Sequence, residues 1–408
     1  LIAKHEQEKK RRGPSAPAFF RYAGGMDISG RKFCVVGAGI GGLSAALALR
    51  QRGAEVQVLE QAPEIAEVGA GLQISQNGIT VLRALGVVGE VPEAGLQSFG
   101  TVLRDYRSGR VVSVLPGPQA GPTYYYHRAD LIELLRSAAL RAGVEVTLNQ
   151  KVSAVRRSAE GAVVELADGE DLFADCVIAA DGGRSGLRPA LNGDEAPKFT
   201  HQVAWRATIP WGRREDQSRA ALTMGPGRHV VTYPLRDHAL MNIVAVEERS
   251  DWREEGWRLK GDPDDLRARF ADFGGPVAEI LSDVRETHLW ALFLRPVAQN
   301  WQNGRVALLG DAAHPTLPFM AQGACLALED AWLLGRSFEG KDSIAQALAA
   351  YENARRNRAR RVVAAAASNA RNFHLHGPMR LAAQMALSVI GPRLGRRYEW
   401  IYSYDATA

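Results

Sequence analysis

Apolar and polar positions alternate along this chain with two periods. Lys32-Phe33-Cys34-Val35-Val36 is a short apolar run of the kind that forms a buried strand. Leu43 to Gln51 reads as a helix. Glu55 to Glu60 reads as a second strand, with Val56 and Val58 on one face. After Tyr126 a further helix gathers Leu131, Leu134 and Leu135 on one side, and Val144-Glu145-Val146 is a strand. Ala154 to Leu166 reads as hairpin material with turns at Glu160-Gly161 and Asp168-Gly169. Two more buried strands, Leu172 to Ala180 and Arg305 to Leu309, each deliver a Gly/Asp pair. Between them lie Val203–Ala207, Val230–Tyr233, Met241–Val246 and Leu289–Leu294. Their alternation suits an antiparallel sheet with one face on a site. Residues 343–390 read as helices rich in Ala and Arg.

Three glycine-acid segments punctuate these elements. Gly37, Gly39 and Gly42 fall between the first strand and the first helix, where glycines make a tight turn and let the backbone approach a pyrophosphate. The helix that follows offers its N-terminal amides to that charge. Glu60 closes the second strand with Gln61 beside it, at the spacing where an acid bonds a ribose 2′-hydroxyl. Such an acid disfavours a 2′-phosphate, so the nucleotide is of FAD or NAD type. Asp181-Gly182 and Gly310-Asp311 follow later buried strands, where an acid can bond ribityl or ribose hydroxyls. Three such segments in this order point to one large dinucleotide gripped from several sides. The fingerprint occurs once, so any nicotinamide nucleotide would bind transiently, without a Rossmann domain of its own.

At 408 residues, with 46% hydrophobic residues and 41 glycines, the chain suits a two-domain α/β enzyme. Its three cysteines make no disulfide framework; packing is their expected role, and a reducing, cytoplasmic setting fits. Most of the net charge of +5 sits in residues 1–25, which hold six basic residues against two acidic ones, so a nucleic-acid partner is discounted. That segment reads as a disordered extension before Met26. No apolar run approaches membrane-spanning length. The histidines show no metal-ligand spacing, and no P-loop or nucleophile elbow is present. Arg355, Arg356, Arg358, Arg360 and Arg361 are expected on a solvated helix face.

Gly37 to Glu60, Asp181-Gly182 and Gly310 to Pro315 resemble the fingerprints of single-component FAD-dependent aromatic hydroxylases of the p-hydroxybenzoate hydroxylase type, above all salicylate hydroxylase and 3-hydroxybenzoate 6-hydroxylase. Supporting segments are Gly69 to Ile74, Tyr126 to Leu131 and Pro318 to Ala324, and the likeness spans about residues 30 to 365. The resemblance implies a discontinuous Rossmann-like FAD-binding domain (26–75, 124–200 and 297–345). It implies an inserted antiparallel substrate domain (76–123 and 201–296) and a C-terminal helical region (346–408). It implies tightly but non-covalently bound FAD, NADH or NADPH as transient co-substrate, O2, and hydroxylation of a small aromatic acid through a flavin C4a-hydroperoxide. A monomer or homodimer is expected. The family places Arg128 on the ribityl or phosphate part of FAD and Pro315 near the reactive edge of the flavin. Gly323 and Ala324 open a helix whose amides can face the ring where reduction builds negative charge.

Aromatic hydroxylation gains when the phenolic proton is removed, and histidine is the natural base near neutral pH. His229 and Tyr233, four apart on a predicted strand, share one face. The pair resembles the one that handles the substrate hydroxyl in the 3-hydroxybenzoate and 6-hydroxynicotinate hydroxylases. His229 is the expected base, relayed or oriented by Tyr233. Arg206 is a candidate carboxylate clamp, with Trp205 beside it and Phe319 as further expected substrate contacts. Two departures stand out: Ser75-Gln76-Asn77-Gly78 lacks the expected proline before Asn77, and Phe319 makes a wall apolar where relatives often carry a polar or tyrosyl residue. Two other readings are open at this point. One is the same chemistry on a quinone precursor or isoprenoid; the other is a flavin reductase or redox-sensing protein without oxygenation.

Overall fold

The computed structural model describes residues 26–65, 71–90, 92–213, 218–250 and 259–408. The expected extension 1–25, and Gly69 and Ala70, lie outside the described residues.

The first apolar run becomes the central strand, Lys32–Val36, of a five-stranded parallel sheet. It pairs with Glu55–Leu59 on one side and Cys176–Ala179 on the other; Glu145–Thr147 and Val306–Leu308 close the two edges. These strands are largely buried, with helix Ile40–Arg50 packed against Lys32–Val36 and Glu55–Leu59. Helix Ile40–Arg50 is buried along nearly its whole length, packed against Gly323–Arg336 and Arg128–Arg141. The expected hairpin is a three-stranded antiparallel meander, Val152–Arg157, Ala162–Leu166 and Asp171–Ala174. The stretch expected as one strand from Leu172 to Ala180 is therefore two, divided at Asp175, whose carboxylate accepts from the Lys32 N–H at 2.8 Å.

The alternating stretches form an eight-stranded sheet built around Lys198–Pro210, Leu240–Glu248 and Arg228–Leu235, which pair antiparallel. Thr101–Asp105 and Val111–Leu115 complete one edge. The outer face carries its own core, with Trp205, Ile243, Phe270 and Phe273. The other face looks toward the parallel sheet. Gly71–Ile74, Thr123–His127 and Leu96–Ser98 make a small third sheet beside the large one.

The long helix Ile344–Asn372 returns to the cofactor side, and this corrects one expectation. Arg355 is fully buried rather than solvated: its Nε meets Asp330 at 2.6 Å and its Nη2 meets Glu329 at 2.7 Å. Arg358 pairs with Glu329 as well, at 2.7 Å, while Arg360 stays exposed. The acids stand side by side in helix Gly323–Arg336, and a buried acid demands such a partner. All three cysteines are buried and unbridged; burial pushes the Cys34 thiol up to about 12 and the Cys325 thiol up to about 11.

Candidate active site

Two neighbouring helix N-termini open on one cleft. Gly39, Ile40 and Gly41 line it at the start of the first helix, and Gln322, Gly323 and Ala324 at the start of Gly323–Arg336. Neither helix has a side-chain cap, so their first amides remain as donors. Arg128, Gly182, Gly310 and Asp311 complete this half of the cleft. A Cβ added at Gly39 or Gly182 would meet no atom within 4 Å, which leaves the backbone bare where a ligand would approach. Anion-seeking amides, a cation and an acid for hydroxyls are the donor set a flavin dinucleotide needs, and the residues fit FAD.

The other expected cofactor residues shape this cradle from behind. Gly37 has φ +102°, and a Cβ there would stand 2.5 Å from the Ala180 carbonyl oxygen. A Cβ on Gly42 would stand 1.9 Å from the Gly37 carbonyl oxygen. Glu60 accepts from the Ala38 N–H at 2.8 Å and from the Ala62 N–H at 3.0 Å, tying the glycine turn to the end of the second strand. Gln61 is exposed beside it. The Asp181 carboxylate accepts from the Leu187 N–H at 3.3 Å, and burial raises its pKa above the ordinary carboxylate range. Burial likewise raises Asp311, against the pull of His314 and Arg128. Gly42→Ala is expected to force the turn open and cost about 1–3 kcal/mol. The purified variant should carry much less flavin per protein by absorbance and should melt at lower temperature.

The substrate half is lined by the inner face of the large sheet. Arg206, His229, Val231, Tyr233, Val244, Val246 and Trp290 all look into the cleft, and along each strand they alternate with residues of the outer core. That alternation removes Trp205 from the site. It is one residue from Arg206, so it faces the opposite way, 1% exposed, donating its indole N–H to Glu247 at 2.9 Å. Arg206 instead lies over the Trp290 ring, 5.5 Å from its centre. Leu317, Phe319 and Phe373 close the apolar side. Pro315 does not line the cleft; its ring stands near Gly183, and the wall begins at Thr316.

His229 and Tyr233 do share the cleft-facing side, but they have different partners. The Tyr233 ring stacks on Tyr125 with centroids 4.8 Å apart, and burial pushes its hydroxyl far above the ordinary range. The His229 Nδ1 lies 2.7 Å from Nε2 of His374, a residue not among the expected site residues. Burial, and then the neighbouring His374, hold His229 well below the usual histidine range, so its ring is neutral at neutral pH. Asn77, which lacks its expected proline neighbour, is buried and donates to Gln322 at 3.0 Å and Glu329 at 2.7 Å, fixing the turn before helix Gly323–Arg336.

Residues 31–366 match the FAD binding domain family. The chain is 33% identical over 390 residues to the 3-amino-4-hydroxybenzoate 2-monooxygenase PtmB3 of Streptomyces platensis, covering 92% of this chain and 96% of that one. It is 32% identical over 382 residues to the 3-hydroxybenzoate 6-hydroxylase of Klebsiella oxytoca, covering 91% and 96%. Among solved structures it superposes on a salicylate hydroxylase substrate complex with a TM-score of 0.78 and 26% identity, covering 93% of this chain and 96% of that one. No helix among the described residues is long and apolar enough to cross a membrane. With its parallel sheet, its uncapped helix starts facing one cleft and these relatives along nearly its full length, the chain belongs to the FAD binding domain family, as a flavin-dependent monooxygenase of the aromatic hydroxylase type.

Proposed function

We propose that this protein uses NAD(P)H and O2 to hydroxylate a small aromatic acid that carries a phenolic hydroxyl. The observation that supports this most directly is the pairing, on one wall of the cleft, of a fixed cation with a neutral buried imidazole. Arg206 and His229 both line a space otherwise walled by Val231, Val244, Val246, Phe319 and Phe373. Bound FAD, once reduced, supplies the activated oxygen that the ring takes up. The protein's own groups do the rest. Arg206 holds the carboxylate, and its guanidinium can do so with two parallel bonds. His229 accepts the phenolic proton, because an ionised ring donates electrons to the incoming oxygen far better than a phenol. Phe319 and Phe373 keep water from the reacting edge. The amides of Gly323 and Ala324 would stabilise negative charge on the reduced cofactor.

Relatives named for 3-amino-4-hydroxybenzoate and 3-hydroxybenzoate, and a salicylate hydroxylase of like fold, are consistent with a hydroxylated benzoate or nicotinate as substrate. The test is NADH and NADPH oxidation by FAD-loaded protein against a panel of hydroxybenzoates and hydroxynicotinates, with oxygen uptake and peroxide recorded together. One acid should accelerate the reaction many-fold with little peroxide; equal rates with and without every acid would refute the reading. Arg206→Gln is expected to raise KM for that acid by roughly tenfold or more, the worth of a charge-assisted bond pair. It should change KM far less for the corresponding phenol without a carboxylate, and equal effects on the two would remove the carboxylate from Arg206.

A further inference from the structure

Behind His229 a line of hydrogen-bonding groups runs out of the cleft. His229 Nδ1 meets His374 Nε2 at 2.7 Å, and His374 Nδ1 meets the Glu248 carboxylate at 3.0 Å. His229 and His374 are 1% and 3% exposed, whereas the Glu248 side chain is 48% exposed. Glu248 and His374 line a separate surface pocket on the far side, together with His201, Arg249 and His376. The three groups come from different parts of the chain: two neighbouring strands of the large sheet and the turn between the two long C-terminal helices. From this arrangement the geometry points to a proton outlet, in which His374 and Glu248 position His229 as a base and pass its proton to the outer pocket. It rests on the phenolic-substrate reading above.

The direction of the line follows from the chemistry of its outer end. An ionised carboxylate only accepts hydrogen bonds, so the His374 nitrogen facing Glu248 must carry a proton. The other His374 nitrogen is then an acceptor, and the His229 nitrogen facing it must be the donor. The remaining nitrogen of His229, Nε2, is left with a lone pair on the cleft side. An acid at the surface thereby fixes the tautomer of a buried ring two residues away. Gln202 agrees with this assignment. Its amide nitrogen is placed 3.2 Å from the same His374 Nδ1, while its oxygen is buried without a partner. Turning the amide over gives that oxygen the Nδ1–H it lacks.

Each transfer balances. The substrate O–H gives its proton to His229 Nε2, His229 Nδ1 gives one to His374 Nε2, His374 Nδ1 gives one to Glu248, and Glu248 releases one to water. The substrate keeps the electron pair as phenolate. Burial disfavours a resting charge on either ring, and Glu248 partly opposes that at His374. A low affinity for a resting proton suits groups that hand protons on. The groups facing the pair are Phe319 and Phe373 beside His229 and Gln202, Glu248 and His376 beside His374.

The test uses FAD-loaded enzyme and a hydroxynitrobenzoate probe whose phenolate is coloured. Bound probe is followed by absorbance after rapid pH jumps. In His374→Ala the colour change should slow by about tenfold or more, and added imidazole should restore it by entering from the outer pocket. Glu248→Gln replaces a group at the half-exposed rim, so it tests the same line if the alanine variant does not fold. An amide can donate as well as accept, so the tautomer is no longer forced, and the bound probe should ionise only at higher pH. A probe that binds and ionises with wild-type rate and pH profile in these variants overturns the outlet alone. A probe that does not bind the wild type overturns the phenolic-substrate reading and the outlet with it.

Discussion

Alanine in place of His229 is expected to lower kcat on the phenolic acid by about 10²- to 10⁴-fold, the span that positioned acid–base groups contribute. FAD retention should not change, because His229 lies in the substrate half of the cleft, apart from the glycine turn and the helix starts. The loss should belong to the proton and not to packing. A substrate analogue whose hydroxyl is already ionised in water should therefore lose much less, since its proton needs no base. Measuring both substrates separates the roles: an equal loss on the two would make His229 a wall of the cleft. The pH profile follows from the depressed basicity of the ring. His229 stays neutral at and below neutral pH, so the rate should hold well into the acid range rather than fall through the ordinary histidine range.

Arg355→Met should have the largest effect on stability, a loss of about 3–5 kcal/mol, because one partner of a buried ion pair is removed and the others stay behind. Glu329 and Asp330 are both 0% exposed. Arg358 still covers Glu329, but among the described residues Asp330 keeps His314, at 2.5 Å, and the Gly310 N–H, at 3.1 Å. The network reaches the site through that last bond, since Gly310 lines the cofactor cleft. Thermal and denaturant melts should show the loss, and Arg360→Met at the exposed face of the same helix should stay within about 0.5 kcal/mol of wild type. The same cluster sets an acid limit. Burial raises Asp330, but His314 and Arg355 outweigh it and hold the carboxyl at about 2. A depressed carboxyl stabilises the fold above its unfolded value and loses that contribution as pH falls toward 2. The acid melt should accordingly be shallower in Arg355→Met, where part of the cause of the depression is gone.

The cofactor half was legible because its constraints are local. A turn that must pass between two backbone segments admits only glycine, so Gly37 and Gly42 mark their places whatever surrounds them. That Arg206, His229 and Tyr233 line one cleft was legible for a similar reason, since strand alternation fixes which residues share a face. The same rule, applied strictly, would have excluded Trp205 as soon as Arg206 was chosen. The arginine-rich helix was misread because its partners are remote in sequence. Nothing near Arg355 reveals that Glu329 and Asp330 pack against it, although two adjacent acids in the apolar run Ala324 to Leu334 were a signal that buried cations must come from elsewhere. His374 was invisible as part of the site for the same reason. Only the folded chain carries the turn after the long helix up to the back of His229.

The central claim is that an oxygen atom from O2 enters the ring of a phenolic acid held by Arg206 and His229. The most direct measurement is turnover of FAD-loaded protein with NAD(P)H and the accelerating acid under isotopically heavy dioxygen, followed by mass spectrometry of the product. The expected result is one new ring oxygen carrying the heavy label, formed in step with NAD(P)H consumed. An unchanged aromatic acid with all the labelled oxygen recovered as peroxide would contradict it.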